Sequence, residues 1–122
     1  KNVGGSAIAR INVNGNVAGT GAYTNLSDAV TKAEVLDCDA GCEVLKGVRP
    51  RKFMRKGSDR YEYGFVAQEM QAAIPEAVID FDAFDPDDPN KEIRLGVQEG
   101  QLVSILVNAV QELTARVEAL GG

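Results

Sequence analysis

A stripe of apolar residues near the end of the chain sets the terms for its fold. Val103, Leu106, Val110, Leu113, Val117 and Leu120 follow one another at alternating spacings of three and four. That is the a/d seam of a heptad helix, and it predicts a helix over residues 98–120. Leu102, Ile105 and Ala109 stand beside the seam in its first half. The helix is therefore expected to begin broad-faced, packed on its own domain, and to narrow to a stripe. Burying each seam residue is worth about 1.5–3 kcal/mol before entropy, and a helix of this size is marginal alone in water. A partner surface is implied, and identical chains are the simplest supply. Valine at a with leucine at d favours two strands in simple parallel coils, so the seam alone does not fix the number of chains.

The remaining sequence is sufficient for one modest domain: 122 residues in all, with a net charge of −5. The chain starts at Lys1 rather than Met, which is read as a piece of something longer. No basic start leads into an apolar run, as a signal peptide would, and no apolar stretch approaches the ~20 residues of a membrane helix. The acidic balance disfavours nucleic acid as a partner, because phosphate binding wants a basic patch. Arg49, Arg51, Lys52, Arg55 and Lys56 form a local exception, read as the solvated face of a strand and its turn. No histidine is present, which removes the commonest general base and metal ligand. Two cysteines, Cys38 and Cys42, are too few thiols for a zinc site and are read as reduced, partly buried groups within a helical stretch.

Along the chain, residues 7–24 read as fibre. Ile11 and Val13 alternate, Asn14-Gly15 suits a tight turn, and Val17 follows. Many glycines leave little to bury within one chain. Residues 27–36 suggest a short helix capped by Ser27, and residues 39–47 a second one capped by Asp39 and stopped by Gly47. A hairpin is expected around Gly57-Ser58-Asp59, then about two helical turns ended by Pro75. Ile79, Phe81 and Ala83 share one face of a further strand, and Ile93, Leu95 and Val97 one face of its successor. The loop between them carries Asp85, Asp87, Asp88 and Asn90. Its oxygens suit calcium, but the EF-hand glycine and distal glutamate are missing, so neither a metal nor any other cofactor is expected.

Three blocks stand in a fixed order: Ser27-Asp28 with Lys32 five positions after the serine, "YGFVAQEMQAAIPEAV" from Tyr63 to Val78, and "LVSILVNAVQELTARVEAL" from Leu102 to Leu120. Together they resemble the C-terminal intramolecular chaperone domain of phage tailspikes and tail fibres, the endosialidase type, a self-cleaving serine peptidase family. The same module occurs in the myelin-regulatory transcription factors. The resemblance covers residues 26–120, and its middle block is the most specific, since the family repeats Gly-Phe-Ile-Ala-Gln-Glu-Val followed by a proline. Ala29, Val30 and Thr31 stand where family members usually carry arginine and another basic or apolar residue.

The resemblance implies a homotrimer that brings three upstream fibre chains into register and is then released by a Ser/Lys dyad. Ser27 would be the nucleophile and Lys32 the general base, with the scissile bond between Leu26 and Ser27 and Asp28 on its other side. The residues add a constraint of their own. Five positions differ by about 140° on a helix and face opposite sides of a strand, so a bend between Ser27 and Lys32, or an approach from another chain, is needed. Acidic neighbours such as Asp28 and Glu34 must point away or be neutralised, because a lysine base has to lose its charge. Gln68 and Glu69 are polar residues within the middle block that would order the dyad, hold a subunit contact or make structural hydrogen bonds, the last being preferred.

The expected fold is α+β: a small mixed domain with β-hairpins and short helices, a long C-terminal helix forming a trimeric bundle, and an N-terminal β fibre segment. The expected organisation is 1–26 as the end of the upstream fibre and 27–122 as the chaperone domain. Its partners would be two further copies and the upstream fibre domain of the same chain, in the host cytoplasm during virion assembly, or on the virion tail fibre if not released. Two alternatives stand beside it. One is a permanently attached, non-catalytic trimerisation tip. The other is a receptor-binding tip seated in the N-terminal segment, where Tyr23 is the only aromatic.

Overall fold

A computed structural model describes residues 9–11, 17–21, 24–80, 87 and 95–121. The chain divides into two compact units, Lys1–Leu36 and Asp37–Gly122.

In the first unit, strands β1 (Ala9–Ile11) and β2 (Val17–Gly19) pair antiparallel, with Arg10 opposite Ala18. The expected turn residues Asn14 and Gly15, together with Val13 and Tyr23, lie outside the described residues. Residues 17–21 are exposed. The helix expected over 27–36 is only a 3-10 turn, Ala29–Thr31. Its cap is Asp28, not Ser27: one carboxylate oxygen accepts from the Val30 amide at 3.0 Å. Lys32 already has extended backbone, and Glu34 takes a left-handed φ of 49°, so no helix propagates towards residue 36.

The second unit begins with a four-residue helix, α1 (Cys42–Leu45), shorter than expected and entered through Gly41 rather than Asp39. The cap group comes from far along the chain. The Cys42 amide donates to Glu112 Oε1 at 2.8 Å, and Asn108 Nδ2 donates to the Ala40 carbonyl at 2.8 Å. A side chain at position 41 would displace the Glu112 carboxylate from this position. Cys38 lies before the helix and is exposed; Cys42 is half-buried, and both are free thiols.

Strands β3 (Arg51–Met54) and β4 (Tyr61–Gly64) form the expected hairpin, with Lys52 opposite Tyr63 and Phe53 opposite Glu62. Gly57, at φ 84°, supplies the left-handed residue that its turn requires. Helix α2 (Ala67–Ala73) stops before Pro75, which opens a 3-10 turn, Pro75–Ala77. Proline cannot continue a helix but is tolerated in a first turn. Strands β5 (Val78–Asp80) and β6 (Leu95–Val97) then pair antiparallel, Val78 opposite Val97. These two side chains meet the core, while Ile79 is more than a third exposed. Phe81, Ala83 and Ile93, and the acidic loop except Asp87, lie outside the described residues.

Helix α3 (Gln101–Gly121) closes the described chain. It starts three residues later than the periodicity predicts, because Gln98–Gly100 are used in the turn that leaves β6: the Gln98 amide donates to Ala77, and Gln101 donates back to Gln98. The core of this unit is small. Met70, Ile74 and Ala77 pack against Leu102 and Ile105, with Val44, Leu45, Val48, Phe65, Val78 and Val97 around them. No polar side chain is buried among the described residues. The architecture is thus the small mixed fold expected, with short hairpins and a long last helix.

Candidate functional site

Two features bear on function, one in each unit. The first is the segment from Leu26 to Lys32. Asp28 folds it by accepting three bonds. Its side chain takes the Val30 amide, and its carbonyl takes the Thr31 amide at 3.0 Å and the Thr31 hydroxyl at 2.7 Å. The Lys32 amide closes on Ala29. A single 3-10 turn followed by extended backbone puts a bend between Ser27 and Lys32, one of the two arrangements that their spacing allowed. It brings the Lys32 ammonium to within 2.9 Å of the Ser27 hydroxyl oxygen, to which it donates. The pair is formed within one chain.

The Asp28 carboxylate is turned to the Val30 amide, and Lys32 makes no ion pair among the described residues. All of residues 24–36 are exposed, however, including the large apolar side chains of Leu26, Val30, Val35 and Leu36. Ser27, the cap expected from residue type, does not cap the turn, and Thr31 helps to close it. Aspartate is as good a cap as serine, so the alternative was readable; the Thr31 bond was not.

Gln68 and Glu69 are both on α2, and they differ. Gln68 is exposed on a groove of about 550 Å³ between the β3–β4 hairpin and β6. Glu69 receives a two-pronged hydrogen bond from Arg51 of β3, Nε to Oε1 at 2.8 Å and Nη2 to Oε2. This bond holds the Glu69 carboxyl below its usual range; desolvation opposes it, and the charges of Arg51 and Arg49 add smaller contributions in the same direction as the bond. The same bond raises Arg51. Glu69 thus makes a structural contact that fastens α2 to the hairpin. Other members of the basic run are also engaged: Arg55 pairs with Glu62 at 3.1 Å, and the Lys52 ammonium lies 5.0 Å from the Tyr61 ring and 5.6 Å from that of Tyr63.

The second feature is the outward side of α3. Leu102, Ile105 and Ala109 are 4–7% exposed and face the core. Val103, Leu106, Val110, Leu113, Val117 and Leu120 are 49–88% exposed. The broad and narrow faces are therefore separated as their spacing predicted. Beyond Glu112 every described side chain of the helix is exposed. Leu106 also lines an apolar groove of about 230 Å³ with Leu45, Val48, Pro50, Phe65 and Leu102, so the seam continues onto the body of its own unit. No group of three or more metal-binding side chains gathers among the described residues, and no described helix is long and apolar enough to cross a membrane.

Two of the three sequence blocks, the Ser27 segment and the middle block, fall within a segment that matches a known family. The family model described as chaperone of endosialidase matches residues 27–79. The resemblance read from the first two blocks is borne out over that segment, which starts at Ser27 and ends just after the middle block. The family's name also classes it as a peptidase. No curated protein matches the chain.

Proposed function

We propose that this chain is a C-terminal intramolecular chaperone. Three copies join through the α3 seam, set the upstream fibre segments in register as they assemble in the host cytoplasm, and are then released by self-cleavage between Leu26 and Ser27. The observation that carries the cleavage is the 2.9 Å contact between Lys32 Nζ and Ser27 Oγ. Serine is a weak nucleophile without a base, and in a chain that lacks histidine lysine is the available one.

The chemistry runs as an acyl shift followed by hydrolysis. Lys32, as free amine, takes the Ser27 hydroxyl proton, and Oγ adds to the Leu26 carbonyl carbon. The C–N bond breaks as Lys32 returns the proton to the Ser27 nitrogen, leaving Leu26 esterified to Oγ. Water hydrolyses the ester, giving a Leu26 carboxylate and a domain that begins with Ser27. In the contact described above the lysine donates, as an ammonium must; base work reverses the bond. Burial favours the neutral amine, and the exposed segment 24–36 supplies none within one chain. Cover by the assembled copies is thus part of the proposal, and it makes cutting follow assembly.

The test is a chain with a long N-terminal extension, compared with Ser27→Ala and Lys32→Ala. The wild type should yield a fragment whose mass begins at Ser27, and both variants a single uncut band. Three identical uncut bands overturn the cleavage and leave the permanently attached trimerisation tip. A mature fibre chain ending at Leu26 excludes that alternative.

A further inference from the structure

We infer that Asp28 and Thr31 are positioning residues for the Ser27–Lys32 pair, acting through the single turn that they build rather than through charge; this rests on the proposed cleavage. Ser27 and Lys32 are five residues apart, a separation that neither helix nor strand closes. What closes it is a turn with few other supports. Its residues are all exposed, so no packing within the unit holds it.

Three hydrogen bonds to Asp28 define the turn. The carboxylate takes the Val30 amide at 3.0 Å, and the carbonyl takes the Thr31 amide and, at 2.7 Å, the Thr31 hydroxyl. Lys32 then leaves in extended conformation, its amide held by the Ala29 carbonyl. The direction of that exit sends its side chain back to Ser27. The arrangement also occupies the Asp28 carboxylate. An aspartate free to meet the Lys32 ammonium would oppose the neutral amine; here it satisfies a backbone donor. Thr31 has the same economy, since its hydroxyl is spent on the carbonyl of the residue that caps the turn.

The experiment uses the N-terminally extended chain and follows the rate of self-cleavage, with native mass as a control for assembly. Asp28→Ala should slow cutting roughly five- to tenfold, the typical effect of losing an N-cap read as a rate. Asp28→Asn should restore most of the rate, because asparagine caps equally well without the charge. Thr31→Val should slow cutting and Thr31→Ser restore it. Asp28→Ala and Thr31→Val cutting at the wild-type rate overturns the inference, as does Asp28→Asn cutting as slowly as Asp28→Ala in a correctly assembled chain. Ser27→Ala and Lys32→Ala run in the same series separate the two failures. If they stop cutting while Asp28→Ala does not slow it, only the positioning role falls. If the wild type stays whole, or Ser27→Ala is cut, the dyad itself falls and the inference with it.

Discussion

At the scale of single residues, the second unit is fastened by polar contacts between distant positions. Glu69 and Arg51 are the clearest pair. The Glu69 carboxyl is held below its usual range by the Arg51 hydrogen bond. A depressed carboxyl stabilises the fold above its unfolded value, near 4.3, and that contribution is lost as the pH falls through the folded value. Arg51 is raised, so its own loss falls at the alkaline extreme. Glu69→Gln should therefore be less stable than wild type at neutral pH, and the gap should close as the pH drops below ~4. Thermal melts of both chains across the acid range check this; a gap independent of pH would show that the carboxylate charge does not matter. Gly41 and Glu112 make a second pair. Gly41→Ala displaces the Glu112 carboxylate from the Cys42 amide, and Glu112→Ala removes it. Each should cost about 1 kcal/mol, the worth of a helix cap. The double variant should cost little more than either alone, because both changes break one bond. Denaturant titration of the three variants decides it.

At the scale of elements, the core rests on α2 and α3 meeting across one small cluster. Met70 is the only large side chain essentially without solvent contact among the described residues. Met70→Ala should destabilise the unit by about 2–5 kcal/mol, a large part of what a small domain has, and chemical denaturation measures it. Elements with a strong local signal were legible in the sequence. Alternation around Gly57 gave the hairpin, Pro75 gave the end of α2, and the 3-4 spacing gave both faces of α3. What escaped the sequence depends on contacts made across the chain or on competition between neighbours. The entry to α1 is set by Glu112, seventy positions away, so Asp39 looked like the cap. The start of α3 is delayed because Ala77 holds the Gln98 amide. Ser27 and Asp28 are equally good caps by type, and only the resulting geometry decides that Asp28 takes the turn and leaves the serine hydroxyl to Lys32. The roles proposed for Ser27 and Lys32 come from the resemblance, whereas the bend between them is made by hydrogen bonds of Asp28 and Thr31 that residue type alone does not specify.

At the scale of the whole molecule, the two faces of α3 impose different fates on one helix. Its inner face is spent within the chain: removing Leu102 or Ile105 from water helps a single copy to fold. Its outer face gives a single copy little, since six seam residues stay 49–88% exposed. After Glu112 every described side chain of the helix is exposed. A helix in that condition is marginal in water, and about 1.5–3 kcal/mol per fully covered side chain is available to whatever surface joins it. Leu113 lies where the inner contacts have ended, so a change there tests the seam without disturbing the core. Leu113→Asp places a charge where assembly would desolvate it. The variant should keep the melting behaviour of the Met70 core in a dilute single chain but lose its assembly at micromolar concentration, by sedimentation or native mass. Leu113→Ile, which keeps the apolar surface, should retain it. An unchanged oligomer with aspartate at 113 would mean that the copies join elsewhere, whereas a solitary wild-type chain would leave the exposed seam without its proposed partner.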